Sequence, residues 1–110
     1  MPQNFLPIWT RRKMMNEAKY HVVRSANFKR NYKLAKKQGK DLSILAWGID
    51  QLAKDVPLPL SWKDHQLKGK MKRFRECHID GSGNWLLVYE KREKDMILYL
   101  FSTGTHDEAL

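Results

Sequence analysis

The sequence predicts an α+β fold: a helical hairpin packed on one face of a small, mainly antiparallel four-stranded sheet, in the order β-α-α-β-β-β. Three observations carry this. Residues 26–53 place apolar side chains at helical spacing on two segments separated by Gly39. After the helix-stopping connector VPLPLSW come three strand-like runs, RFRECHID, NWLLVYEK and DMILYLFS, divided by short turns. A β-branched run, KYHVVR, precedes the helices.

Taken in order, residues 1–16 show no period and read as an N-terminal extension, with Met14 and Met15 as internal start positions; residues 17–110 form one domain. A chain of 110 residues supports one core and buries roughly two-thirds of its unfolded surface. KYHVVR, 19–24, is the first strand. Ser25 is the expected N-cap of a helix whose Phe28, Tyr32 and Ala35 face inward while Lys29, Arg30, Lys33, Lys36, Lys37 and Lys40 crowd the rest. Gly39 stops that helix, and Asp41 caps a second one with Leu45, Ile49 and Leu52 as its stripe. Prolines 57 and 59 then end helical structure, because proline lacks the donor N–H and restricts the residue before it.

Two helices cover only one face of the sheet, so the other is expected to be open. Glu76, His78 and Asp80 alternate along the first strand of the sheet run, which puts all three on that open face, with Cys77 opposite as a small core residue. The lone cysteine allows no internal disulfide, no stretch approaches a membrane span, and the N-terminus has the wrong charge order for a signal peptide. A cytoplasmic protein with no membrane partner is expected.

The 21 Lys and Arg against 12 Asp and Glu give +9, a charge that attracts nucleic acid or an acidic protein. Lys68, Lys70, Lys72, Arg73 and Arg75 interleave with Trp62, Phe74 and Trp85 in a pattern that suits RNA, since cations hold phosphates and aromatics stack on bases. Lys33, Lys36 and Lys37 offer a second basic face. His65, His78 and His106 lie in a loop and at two strand ends that a small sheet brings together. Histidine both takes and gives protons near neutrality. RNA cleavage needs a base for the 2′-OH, an acid for the leaving 5′-oxygen and cations around the phosphate. Each histidine alone is more readily a surface or half-buried residue with no role, and the trio is better evidence than its members. A zinc site built from the three with Asp64 or Glu76 lacks the usual ligand spacings, so no metal and no cofactor are expected.

PLPLSWKDHQLKG, RFRECHID, NWLLVYEK and STGTH together resemble the YafQ branch of the RelE/ParE toxins of bacterial type II toxin–antitoxin systems, over a region from about Lys19 to the C-terminus. The resemblance implies a ribosome-dependent endoribonuclease, an mRNA interferase that cuts mRNA in the A site of the 70S ribosome without metal, binding rRNA and mRNA. It also implies an acidic cognate antitoxin, commonly of ribbon-helix-helix type, and the fold described above. By motif, the family's D-H-x-L-x-G histidine is His65, its R-[DE]-x-H histidine is His78 and its T-G-[ST]-H histidine is His106; Glu76 fills the acidic position and Trp85 the tryptophan of P-D-W. His78 and His106 are then expected to share proton transfer, with His65 at the scissile phosphate. The chain departs from the family at Asn84, where Asp is usual, at Ser102, where Arg is usual, and at Leu110, where an aromatic is usual. Asp80 is the nearby carboxylate that would stand in for the first of these. Two other readings stay open: a member that binds ribosome or antitoxin without cutting, and a gyrase-inhibiting relative of the same fold.

Overall fold

The computed structural model describes residues 18–110; the N-terminal extension expected at 1–16 lies outside them. The elements are β1 (His21–Arg24), α1 (Ala26–Lys37), α2 (Leu42–Ala53), β2 (His65–Gln66), β3 (Arg75–His78), β4 (Leu86–Arg92), β5 (Ile97–Gly104) and α3 (His106–Ala109). The α+β architecture and the helical hairpin are as expected. The sheet has a fifth strand, the two-residue β2, and runs in the order β1-β5-β4-β3-β2. β1 pairs parallel to β5, and the other pairs are antiparallel.

Local chemistry explains the helices. Ser25 Oγ accepts from the Phe28 N–H at 2.8 Å and donates to the Phe101 carbonyl at 2.7 Å, so one hydroxyl caps α1 and fastens it to β5. Gly39 takes a left-handed φ of 76° after α1, and the Lys40 N–H returns to the Ala35 carbonyl at 3.1 Å. Asp41 caps α2 by accepting from the Ser43 N–H at 3.0 Å. Phe28 and Ala35 are buried, whereas Tyr32 sits at the rim of the helix, 36% exposed.

The main core lies between the hairpin and one sheet face: Phe28, Ala35, Leu45 and Leu52 from the helices meet Cys77, Leu87, Tyr89, Leu98 and Leu100 from the strands. Trp62 and Trp85 join it. The opposite face is less open than the two-helix argument implies. Phe74, Leu86, Val88 and Ala109 form a second apolar cluster there, with Leu67, Met71, Tyr99 and Phe101 packed against it. Helix α3 is held onto that face by a reciprocal cap between Thr105 and Glu108 and by the Ser102 hydroxyl, which donates to the Ala109 carbonyl at 2.5 Å. Among the described residues no helix is long and apolar enough to cross a membrane.

Candidate active site

Strand register sets the site. His65 on β2 pairs with Glu76 on β3, Glu76 with Val88 on β4, and Val88 with Ser102 on β5, so these four positions form one row across the sheet. The next row runs from His78 through Leu86 to Gly104. Because side chains alternate along a strand, Glu76 and His78 share the face opposite Cys77, which belongs to the main core. The period-two reading holds for this pair.

Two imidazoles converge on one carboxylate. His65 Nε2 is 3.4 Å and His78 Nε2 4.0 Å from the same oxygen, Glu76 Oε1, and the rings lie 6.5 Å apart between centroids. Glu76 is buried, whereas the His65 side chain is half exposed. The other ring nitrogens are committed: His65 Nδ1 meets the Lys63 carbonyl at 2.7 Å and His78 Nδ1 meets the Ser82 carbonyl at 3.1 Å. A carbonyl oxygen only accepts, so both Nδ1 atoms carry a proton and both Nε2 atoms are the ones free to act. The Glu76 carboxylate therefore faces the Nε2 atoms of both imidazoles.

The remaining predicted residues separate into those at this end of the sheet and those elsewhere. His106 is the exposed first residue of α3, just past the Gly104 end of the His78 row; among the described residues no hydrogen bond or ring contact joins it to His65 or His78. Asp80 does not share the strand face. β3 stops at His78, and Asp80 is exposed in the following turn with a left-handed φ of 58°. Asn84 is exposed in the same connection. Ser102, at the position where arginine is usual, is fully buried and occupied with Ala109.

Arg75 and Trp85 are both engaged with other side chains of the fold. Arg75 alternates with Glu76 onto the helix side, where its Nε reaches Asp64 Oδ1 at 3.3 Å beside the Tyr89 hydroxyl, which donates to that oxygen at 2.6 Å. Burial, then the Asp64 hydrogen bond, pushes the Tyr89 phenol well above its usual range. Trp85 is 7% exposed, with its Nε1–H given to Thr103 Oγ1 at 3.1 Å and the Lys40 ammonium 5.4 Å from its ring. Trp62 and Phe74 are buried as well, so all three aromatics of the interleaved stretch are core residues. The cations separate too: Lys68 and Lys70 are exposed around a short turn, while Lys72, Arg73 and Arg75 line a cavity of about 540 Å³ that also contains Asp55, Asp64 and Glu93. Lys33, Lys36 and Lys37 are exposed on α1.

Sequence reasoning missed the two carbonyls that orient the histidines and the Tyr89–Asp64–Arg75 cluster. The Asp-Gly pair at 80–81 was the available signal for the first, since it marks a turn that reverses the chain beside His78. Among the described residues no group of three or more His, Cys, Asp or Glu side chains is placed to hold a metal ion.

Known proteins resemble this chain in sequence and fold. A family model described as "Bacterial toxin of type II toxin-antitoxin system, YafQ" matches residues 20–110. The mRNA interferase toxin YafQ of Escherichia coli K12 is 35% identical over 83 residues, covering 74% of this chain and 86% of that protein. The E. coli DinJ-YafQ toxin-antitoxin complex contains a chain with 31% identity and a TM-score of 0.72, covering 81% of this chain and 94% of that one. A metal-bound toxin from Helicobacter pylori is 36% identical with a TM-score of 0.76, covering 83% of this chain and 99% of that one.

Proposed function

The chain belongs to the YafQ family of bacterial toxins of type II toxin–antitoxin systems, and from that membership we propose that it is an endoribonuclease, an mRNA interferase that cuts mRNA in the ribosomal A site. The observation that carries the reading is the convergence of two Nε2 atoms on the buried Glu76 carboxylate, on the sheet face away from the helical hairpin. His78 and His106 share the proton transfers. One takes the 2′-OH proton as the O2′–P bond forms, and the other gives its proton to the 5′-oxygen as the P–O5′ bond breaks, leaving a 2′,3′-cyclic phosphate and a 5′-OH. His65, beside Glu76, presents a protonated Nε2 to the phosphate. No step needs a metal ion. Lys68 and Lys70 hold RNA near the site, Lys72 and Arg73 hold it at the neighbouring cavity, and Lys33, Lys36 and Lys37 face rRNA from the helical side. The partner that restrains the activity in the cytoplasm is an acidic antitoxin; the relative solved with DinJ supports the antitoxin part of this reading.

One observation favours a second reading, a member that binds without cutting: buried Ser102 leaves no guanidinium at the position where the family usually has one. Primer extension on mRNA bound to programmed ribosomes separates the two. Wild type should cut the A-site codon with chelator present and spare free RNA, and His78→Ala should lower the rate roughly 100-fold or more. Absence of cuts from a folded, ribosome-binding wild type would establish the binding role, and cuts only with added metal would overturn the metal-free chemistry.

A further inference from the structure

His65 and His78 are each steered by a carbonyl that a left-handed, non-glycine residue helps deliver. Lys63, with φ 52° and ψ 44°, supplies its own carbonyl to His65 Nδ1. The Ser82 carbonyl reaches His78 Nδ1 across a turn in which Asp80 has φ 58° and Gly81 φ 72°. Positive φ at both central residues, closed by the Ser82 N–H on the Ile79 carbonyl at 3.1 Å, is the type I′ pattern, for which Asp-Gly is a preferred pair. The turn is anchored: Ile79 is fully buried and its N–H donates to the Trp85 carbonyl at 2.8 Å. Gly81 is constrained as well, since a β-carbon there would make a tight 3.2 Å contact with the Ser61 carbonyl oxygen and its φ of 72° is one that other side chains rarely adopt.

We infer that Asp80 is a positioning residue for His78: its left-handed backbone, rather than its carboxylate, sets the Ser82 carbonyl on Nδ1 and keeps Nε2 as the nitrogen presented to substrate. An imidazole without that acceptor is free to rotate or to move its proton to Nε2, and a ring protonated only there no longer serves as a base on that side. The effect on cleavage rests on the endoribonuclease reading; the effect on the ring does not. Asp80 is exposed at a surface turn, so its substitutions leave the core untouched.

Three variants separate backbone from carboxylate. Asn and Gly accept a left-handed φ without a charge, whereas a β-branched residue there is a strong outlier. Asp80→Asn and Asp80→Gly should keep the Nδ1-protonated tautomer of His78, read from ring nitrogen shifts by NMR, and hold kcat within about twofold. Asp80→Val should lose that tautomer preference and lower kcat roughly 10- to 100-fold with KM little changed. Loss in Asp80→Asn equal to that in Asp80→Val would show that the carboxylate is the needed group and overturn the inference. So would an Asp80→Val protein with the wild-type tautomer. If wild type does not cut, the NMR readout still decides the positioning role, and the endoribonuclease reading fails separately.

Discussion

Gly48 is the point at which α2 admits an aromatic ring. A β-carbon there would lie 2.6 Å from Trp62 Cζ3, and Trp62 is 3% exposed with little freedom to retreat. Gly48→Ala gains about 1 kcal/mol of helix propensity but overpacks the core by about 1–3 kcal/mol, so clash should win and the denaturation midpoint should fall. Cys77 makes a second test of the same core. Burial pushes its thiol far above the usual range, so the native protein should resist a thiol-reactive probe at neutral pH and react only on unfolding; rapid labelling of folded protein would contradict the packing described. The candidate site was legible in part. His65, Glu76 and His78 follow from motif and parity, because pairing register and alternation are sequence-periodic. Asp80 did not follow, because parity holds only while the strand continues, and the Asp-Gly pair ends β3 two residues too early. The burial of Trp85 was not legible for another reason: an aromatic between cations is as suitable for the core as for a base, and only the tertiary packing chooses.

At the scale of elements, Ser25 and Asp55 each join parts distant in sequence. Ser25→Ala removes both the α1 cap and the bond to the Phe101 carbonyl, which should cost about 1–2 kcal/mol in chemical denaturation with the m-value unchanged. Asp55, after α2, holds Lys91 from β4 and Lys19 from before β1, each at 3.0 Å. The Lys91 and Lys19 hydrogen bonds keep its carboxyl below the usual range. A carboxyl whose pKa is depressed on folding adds stability above its unfolded pKa and loses it as pH falls through the folded one. Asp55→Asn, which tolerates the left-handed φ of 61° there, should therefore be less stable than wild type at neutral pH, with the gap closing below about pH 5; a gap independent of pH would remove Asp55 from the acid response. The capped helices were the readable elements, since Ser25, Gly39 and Asp41 mark their ends locally. The two-residue β2 carries too little pattern to see, and the parallel β1–β5 pairing depends on a crossover that no local signal reports. Helix α3 did leave a signal, the Thr105–Glu108 capping box, at the end of a run read only as a motif.

Across the whole molecule, the α1 lysines and the His65–Glu76–His78 group lie on opposite faces of the sheet. The ion pairs among the described residues use cations from outside α1, such as Lys54 with Asp50, Lys91 with Asp55 and Arg92 with Glu90. The exposed Lys33, Lys36 and Lys37 on α1 carry part of the +9 excess without an acidic neighbour on their own helix. α1 packs through Phe28 on the sheet face opposite Glu76 and His78, so its lysines and the paired imidazoles face away from each other across the sheet. A polyanion held by α1 would therefore contribute affinity through counterion release without contacting His65 or His78. Replacing Lys33, Lys36 and Lys37 by Ala should weaken ribosome binding and lower the magnitude of its log–log salt slope by about 2–3, the value for three lost phosphate contacts, with cleavage at saturating ribosome unchanged. His78→Ala should do the reverse, sparing binding and its slope while abolishing cuts. A triple-lysine variant that kept both wild-type affinity and wild-type slope would move the rRNA contact off α1, leaving Lys68 and Lys70, beside the histidines, as the cations that meet the ribosome.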